Sequence, residues 1–207
     1  MTTKIVVLLF TTLAVAKSCD KADFETPQPT GAKNLTNVPT KLHGKYVSLE
    51  DSSVLRINDR SIIRDKTANY TMHRSELDEK ERLKVKHDTT FYEDNMHISL
   101  RLFGDSIKAK IDYVDTLIYI SDYGVIKYAN DYFLSKRNSK QKWEVTKLTL
   151  NRKELVISST FTKEDVAALR KQLKTSDTTL VFNPTKIQFK KFVKEGGFRN
   201  QEKFKRQ

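Results

Sequence analysis

From Leu42 to Ser158 the chain is cut into short pieces, and the cutting restricts what it can fold into. Runs rich in Val, Ile, Leu, Tyr and Phe fall at 45–49, 53–57, 61–64, 68–72, 97–103, 106–113, 116–120, 124–128, 131–134, 143–150 and 154–158. Polar breaks separate most of them, with turn-forming residues at Glu50-Asp51-Ser52, Asn58-Asp59, Gly104-Asp105, Asp122-Tyr123-Gly124 and Asn138-Ser139. Such runs are too short for ordinary helices and match the length of strands. They predict a mainly β fold, an antiparallel β-meander with one face buried and one wet, arranged as a curved sheet, a sandwich or a barrel-like body. Because the links are short, neighbouring strands are expected to pair in chain order.

Two short helices close the chain. Thr162-Lys-Glu-Asp165 has the form of a variant capping box, Phe161 is placed to staple onto Val166, and Val166, Leu169 and Leu173 make one apolar stripe. The second helix opens after Pro184, where Thr185 and Gln188 have capping-box spacing, and stops at Gly196-Gly197. The helices are therefore expected near 163–174 and 185–195, with one more strand between them at 179–182.

Ahead of the β runs stand two segments of different character. Residues 1–18 have the parts of a secretory signal peptide: Lys4, an apolar run from Ile5 to Ala16, and small residues at its end. The run is well short of the roughly 20 apolar residues that a membrane span needs. The only cysteine of the chain, Cys19, follows directly. Two cuts compete here. Ala14-Val15-Ala16 suits an ordinary signal peptidase and would release a soluble secreted or periplasmic protein beginning at Lys17, whereas cleavage before Cys19 would give a lipidated N-terminus. Residues 19–40 hold three of the four prolines and few core-forming side chains, so they are expected to be a lipidated N-terminus and Pro-rich tether. Residues 41–207 are expected to form a single β-rich domain.

Ala16-Lys17-Ser18-Cys19 resembles a relaxed lipobox of the kind found in Bacteroidetes lipoproteins, and Asp20, Asp23 and Glu25 resemble the acidic export signal of their surface-exposed members. The mature chain is also similar to an uncharacterised Bacteroidetes lipoprotein family. The similarity runs through the linker 24–35, the segment 39–46, residues 131–134, Trp143-Glu-Val145 with Leu148, and the ending 184–198. It implies two or three acyl chains, of the palmitate kind, on Cys19 and attachment to the outer membrane, facing the periplasm or the cell surface. It implies no molecular activity. Leu42-x-Gly44-Lys45-Tyr46 looks a little like the first strand of lipocalin-like barrels, which usually carry Trp at the last position.

No catalytic motif is legible, so an enzyme is not expected. His43, His73, His87 and His97 have no ligand spacing, so neither a metal nor another cofactor is expected. Six glycines leave no phosphate loop, and no serine stands in a nucleophile elbow. The carboxylate pairs Glu93/Asp94 and Asp112/Asp115 keep open an envelope hydrolase acting on glycans. Charge is distributed unevenly. Without Lys4 and Lys17 the formal +12 becomes +10, and residues 186–207 hold eight basic side chains against Glu195 and Glu202. Lys190, Lys191, Lys194, Lys203, Lys205 and Arg206 are thus candidates to contact anions, while the interleaved Ile187, Phe189, Phe192, Val193, Phe198 and Phe204 are expected to dock this end on the sheet. The expected role is a non-catalytic interaction, ligand-binding or structural module. Its partners would be the membrane through Cys19 and an envelope protein, a polysaccharide or a small apolar ligand, with no nucleic acid.

Overall fold

The computed structural model of the chain describes residues 21–76, 88–93, 95–160, 162–176 and 178–207. Among these the elements are β1 (Asp23–Phe24), β2 (Asn34–Leu35), β3 (Gly44–Ser48), β4 (Val54–Ile57), β5 (Ser61–His73), β6 (Thr89–Glu93), β7 (Met96–Phe103) and β8 (Ser106–Tyr119). They continue with β9 (Tyr123–Tyr128), β10 (Asp131–Arg137), β11 (Trp143–Asn151), β12 (Glu154–Ser159), α1 (Lys163–Leu173), β13 (Val181–Phe182), α2 (Lys186–Lys194) and β14 (Asn200–Arg206). The fold is mainly antiparallel β with two short helices near the C-terminus, as the spacing of the runs predicts.

The chain divides into two compact units, a smaller one at 65–115 and a larger body made of 21–64 and 116–207. The reason lies in β5 and β8, which are 13 and 14 residues long. No Gly or Pro breaks either strand, so the expected pauses at 65–67 and 114–115 are absorbed and each strand contributes to both units. In the smaller unit Ile98, Leu100, Ile107, Ala109 and Ile111 gather on one face of the β7–β8 hairpin.

The meander expectation holds for β9-β10-β11-β12 and for β3-β4, which pair in chain order. It misses β14, which runs antiparallel between β12 and β3 and joins the two ends of the body's sequence. It also misses β1, which lies antiparallel to β11 and parallel to β13. Strand alternation sorts the body into two cores. On β10, Tyr132 and Leu134 join an inner cluster with Leu42, Tyr46, Leu55, Ile62, Leu148, Leu155 and Phe204. Phe133, between them, points to the opposite face and meets Phe24, Val166, Leu169, Phe189, Phe192 and Phe198 under the helices.

Both helices are capped as their sequences require. Thr162 Oγ1 accepts the Asp165 N–H, and α1 stops at Lys174 in the left-handed region. Thr185 and Gln188 form the reciprocal capping box of α2. Phe161, the expected staple, lies outside the described residues. Phe189, Phe192, Phe198 and Phe204 are buried, as docking of this end requires, but Ile187 is 79% exposed. Gly197 fits because it has no side chain: a Cβ there would stand 2.4–2.7 Å from the Phe192 ring. That ring is wedged against Phe189 and Phe198 and has nowhere to swing. Gly197→Ala is expected to cost about 1–3 kcal/mol by overpacking, read as a lower urea midpoint at unchanged slope.

The Pro-rich tether expected at 19–40 is, from Lys21 onward, part of the body. Ala22, Phe24, Gln28 and Val38 are almost fully buried. The Ala22 N–H donates to the Thr160 carbonyl, and the Thr160 hydroxyl donates to the Ala22 carbonyl. Gln28 N–H reaches Ser135 Oγ at 3.2 Å, the Gln28–Pro29 bond is cis, and β2 adds to the edge of β9. Composition predicts solvated chain here because few residues are apolar. Three of those few, Ala22, Phe24 and Val38, are buried together with Gln28, and backbone hydrogen bonds to β9, β11 and β13 hold the segment.

Candidate functional site

The inner face of the body leaves a cavity of about 220 Å³. Its apolar wall comes from five strands: Ile62 on β5, Leu117 and Ile118 on β8, Leu134 on β10, Leu148 on β11 and Ile157 on β12. Polar groups collect toward one side, with Arg64, Thr146, Ser159, Asn200 and Glu202. Arg64 and Glu202 are 138 residues apart in sequence and meet because β5 and β14 both belong to the body's sheet. Arg64 Nη2 donates to Glu202 Oε2 at 2.5 Å, and the guanidinium lies over the Phe204 ring, 5.4 Å from its centroid. Its Nε is buried without a hydrogen-bond partner. Asn200 Nδ2 donates to Ser159 Oγ at 2.8 Å.

This arrangement suits one kind of occupant. Aliphatic walls favour an apolar body, and the polar side chains at one side, Arg64 among them, favour a polar or anionic end. The volume is below the 300–1,000 Å³, roughly, of drug-sized sites, so the occupant is small.

The smaller unit carries a shallower groove of about 530 Å³ on the polar face of β7 and β8. Arg101 stands directly opposite Lys108, whose Nζ lies 4.5 Å from the Phe103 centroid. Asp112 accepts from Thr67 Oγ1 and Lys110 Nζ and lies 3.7 Å from His97 Nδ1. The hydrogen bonds from Lys110 and Thr67 hold the Asp112 carboxyl below its usual range. Among the described residues, each of these two cavities has a single carboxylate, Glu202 or Asp112. No group of three metal-ligating side chains occurs among them either.

The residues singled out in the sequence are scattered. Cys19 lies outside the described residues, as do His87 and Asp94. Lys190, Lys191 and Lys194 are exposed on α2, and Lys203 and Lys205 are exposed on the face of β14 opposite Phe204. Arg206 is not grouped with them. It turns to the inner face, where its Nη2 donates to the carbonyls of Lys41 and His43 and its guanidinium lies 5.3 Å from the Tyr46 centroid. It closes the C-terminal strand onto β3. Burial raises the Tyr46 hydroxyl above its usual pKa, with Arg206 opposing the shift, and that hydroxyl donates to the Leu42 carbonyl at 2.8 Å. Sequence reasoning missed the Arg64–Glu202 pair and the Arg101–Lys108 opposition, since both exist only through strand register.

Among the described residues no helix is long and apolar enough to cross a membrane. No protein-family model, curated protein or solved structure matches this chain.

Proposed function

We propose that this chain is a bacterial envelope lipoprotein, held at the outer membrane by acyl chains on Cys19, whose β-rich body binds a small apolar ligand with a polar or anionic end. The leader, the placement of the lone cysteine and the family resemblance support the anchor. The inner cavity supports the ligand, and one observation carries it: an apolar chamber with the Arg64 guanidinium, held by Glu202, at its polar side.

The two parts are tested separately. Intact-mass analysis of the N-terminal peptide from detergent extracts is expected to show acylated Cys19, absent in Cys19→Ala; an unmodified peptide starting at Lys17 would rule out the anchor. For the ligand, octanoate and octanol serve as probes in calorimetric titrations. Octanoate is expected to bind about tenfold or more tightly than octanol, and Arg64→Gln is expected to erase that difference, since a charge-assisted hydrogen bond is worth about 1.5–3 kcal/mol. Ile157→Phe, which fills the chamber, is expected to abolish both. Failure of either probe to bind at millimolar concentration would refute the ligand reading.

A further inference from the structure

The packing of residues 21–24 changes how an anchor at Cys19 must act. Ala22 is fully buried and tied by two hydrogen bonds to Thr160, and the Asp23 N–H donates to the Leu180 carbonyl. Lys21 already forms an ion pair with Glu144. Only three residue steps separate Cys19 from Ala22, and a fully extended chain covers about 3.3–3.6 Å per residue, so the link spans about 10 Å at most. A headgroup layer is itself roughly 5–8 Å deep. A body fastened this closely cannot stand off the bilayer.

The surface around that fastening is the turn between β10 and β11. Phe24 pairs with Trp143 in the sheet register, and Asn138 Nδ2 donates to Asp23 Oδ2 at 3.0 Å. Arg137, its guanidinium 5.5 Å from the Trp143 centroid, and exposed Lys140 lie at this turn. Among the described residues of this turn Lys142 is matched by Glu25 and Lys21 by Glu144, and Arg137 and Lys140 then outweigh the one remaining carboxylate, Asp23. Trp143 is half-buried against the cluster under the helices, and its exposed part, with cations beside it, has the composition of a surface that sits at headgroup level.

We infer that the β10–β11 turn, with Arg137, Lys140 and Trp143, is the membrane-facing surface of the body, held against anionic lipid headgroups by the short link from Cys19. This deepens the anchored reading above and rests on it for its biological setting. The body's orientation is then set by the fold, and the Pro-rich segment is a docked strap that fixes it.

The chain provides its own probes, since Cys19 is the only thiol and Trp143 the only tryptophan. The mature chain from Cys19 is coupled through that thiol to maleimide lipids in vesicles of phosphatidylcholine and phosphatidylglycerol, and Trp143 fluorescence is measured with nitroxide-headgroup lipids. Quenching of about twofold or more is expected at the natural spacing. A 20-residue Gly/Ser insert between Asp20 and Lys21, with a mean span of about 25 Å, is expected to restore most of the emission. Lys140→Glu in the insert-bearing chain is expected to remove what quenching is left. Absence of quenching at the natural spacing overturns the inference, and quenching that survives the insert unchanged overturns the short link as its cause. Because coupling is chemical, either result is independent of whether Cys19 is acylated in cells, which the intact-mass measurement decides.

Discussion

Phe24→Ala is expected to lower the stability of the body by about 3–5 kcal/mol, the usual cost of deleting a buried aromatic ring. Phe24 is fully buried, and its ring meets Phe189 edge-on with centroids 6.1 Å apart. It sits in the cluster that Phe133, Val145, Val166, Leu169 and Phe192 build beneath α1 and α2, so the void left behind is bounded by two helices and a sheet that cannot close together. The backbone around it is equally committed, paired to Trp143 on one side and Phe182 on the other. Urea unfolding followed by circular dichroism measures the loss, with exposed Lys33→Ala as a control expected to stay within about 0.5 kcal/mol. A change for Phe24→Ala as small as that of the control would mean that the segment is a solvated tether after all.

Asp165→Ala is expected to cost about 2–4 kcal/mol. Asp165 is fully buried in the first turn of α1, and its carboxylate serves three donors. It accepts from the Arg199 N–H at 3.3 and 3.1 Å, from Arg199 Nη1 at 3.3 Å and from the Thr162 hydroxyl at 2.8 Å. It thereby joins the start of α1 to the chain just before β14, and its negative charge lies at the favourable end of the helix dipole. Removing it orphans the Arg199 N–H and empties a buried polar site, while the Arg199 side chain, 38% exposed, can return to water and limits the penalty. Asp165→Asn keeps acceptor capacity at one oxygen and is expected to lose about half as much. The same unfolding measurement checks both; equal losses for Ala and Asn would show that charge, and not the orphaned donors, is what the site depends on.

These two residues mark where the sequence stops being legible. The strand runs, the turns at Gly104-Asp105 and Asn138-Ser139 and both helices could be read because each depends on neighbours in the chain: period-two alternation, turn residues and capping pairs. Phe24 could not be read as core, because a single aromatic among Pro, Thr and Gln has no periodic pattern around it. Asp165 could be read as a cap and not as a buried tie to Arg199, since that bond closes over 34 residues. The cavity was invisible for the same reason. Its lining is drawn from β5, β8, β10, β11, β12 and β14, and only the insertion of β14 between β12 and β3 brings Glu202 to Arg64.

The basic end shows both sides of this limit. Its interleaved Phe residues do dock, as the sequence suggests, yet strand alternation divides its cations, leaving Lys203 and Lys205 outward and turning Arg206 inward onto Tyr46. A count of charges cannot make that division.

By itself, the sequence determined the class of fold and the place of both helices, because these follow from local periodicity and capping. The tertiary structure decided that residues 21–40 are packed, that long β5 and β8 serve two units, and that Arg64 and Glu202 face one apolar chamber. Those outcomes depend on which strands become neighbours, and that is settled by the whole chain finding the arrangement that buries its scattered apolar residues while pairing its backbone.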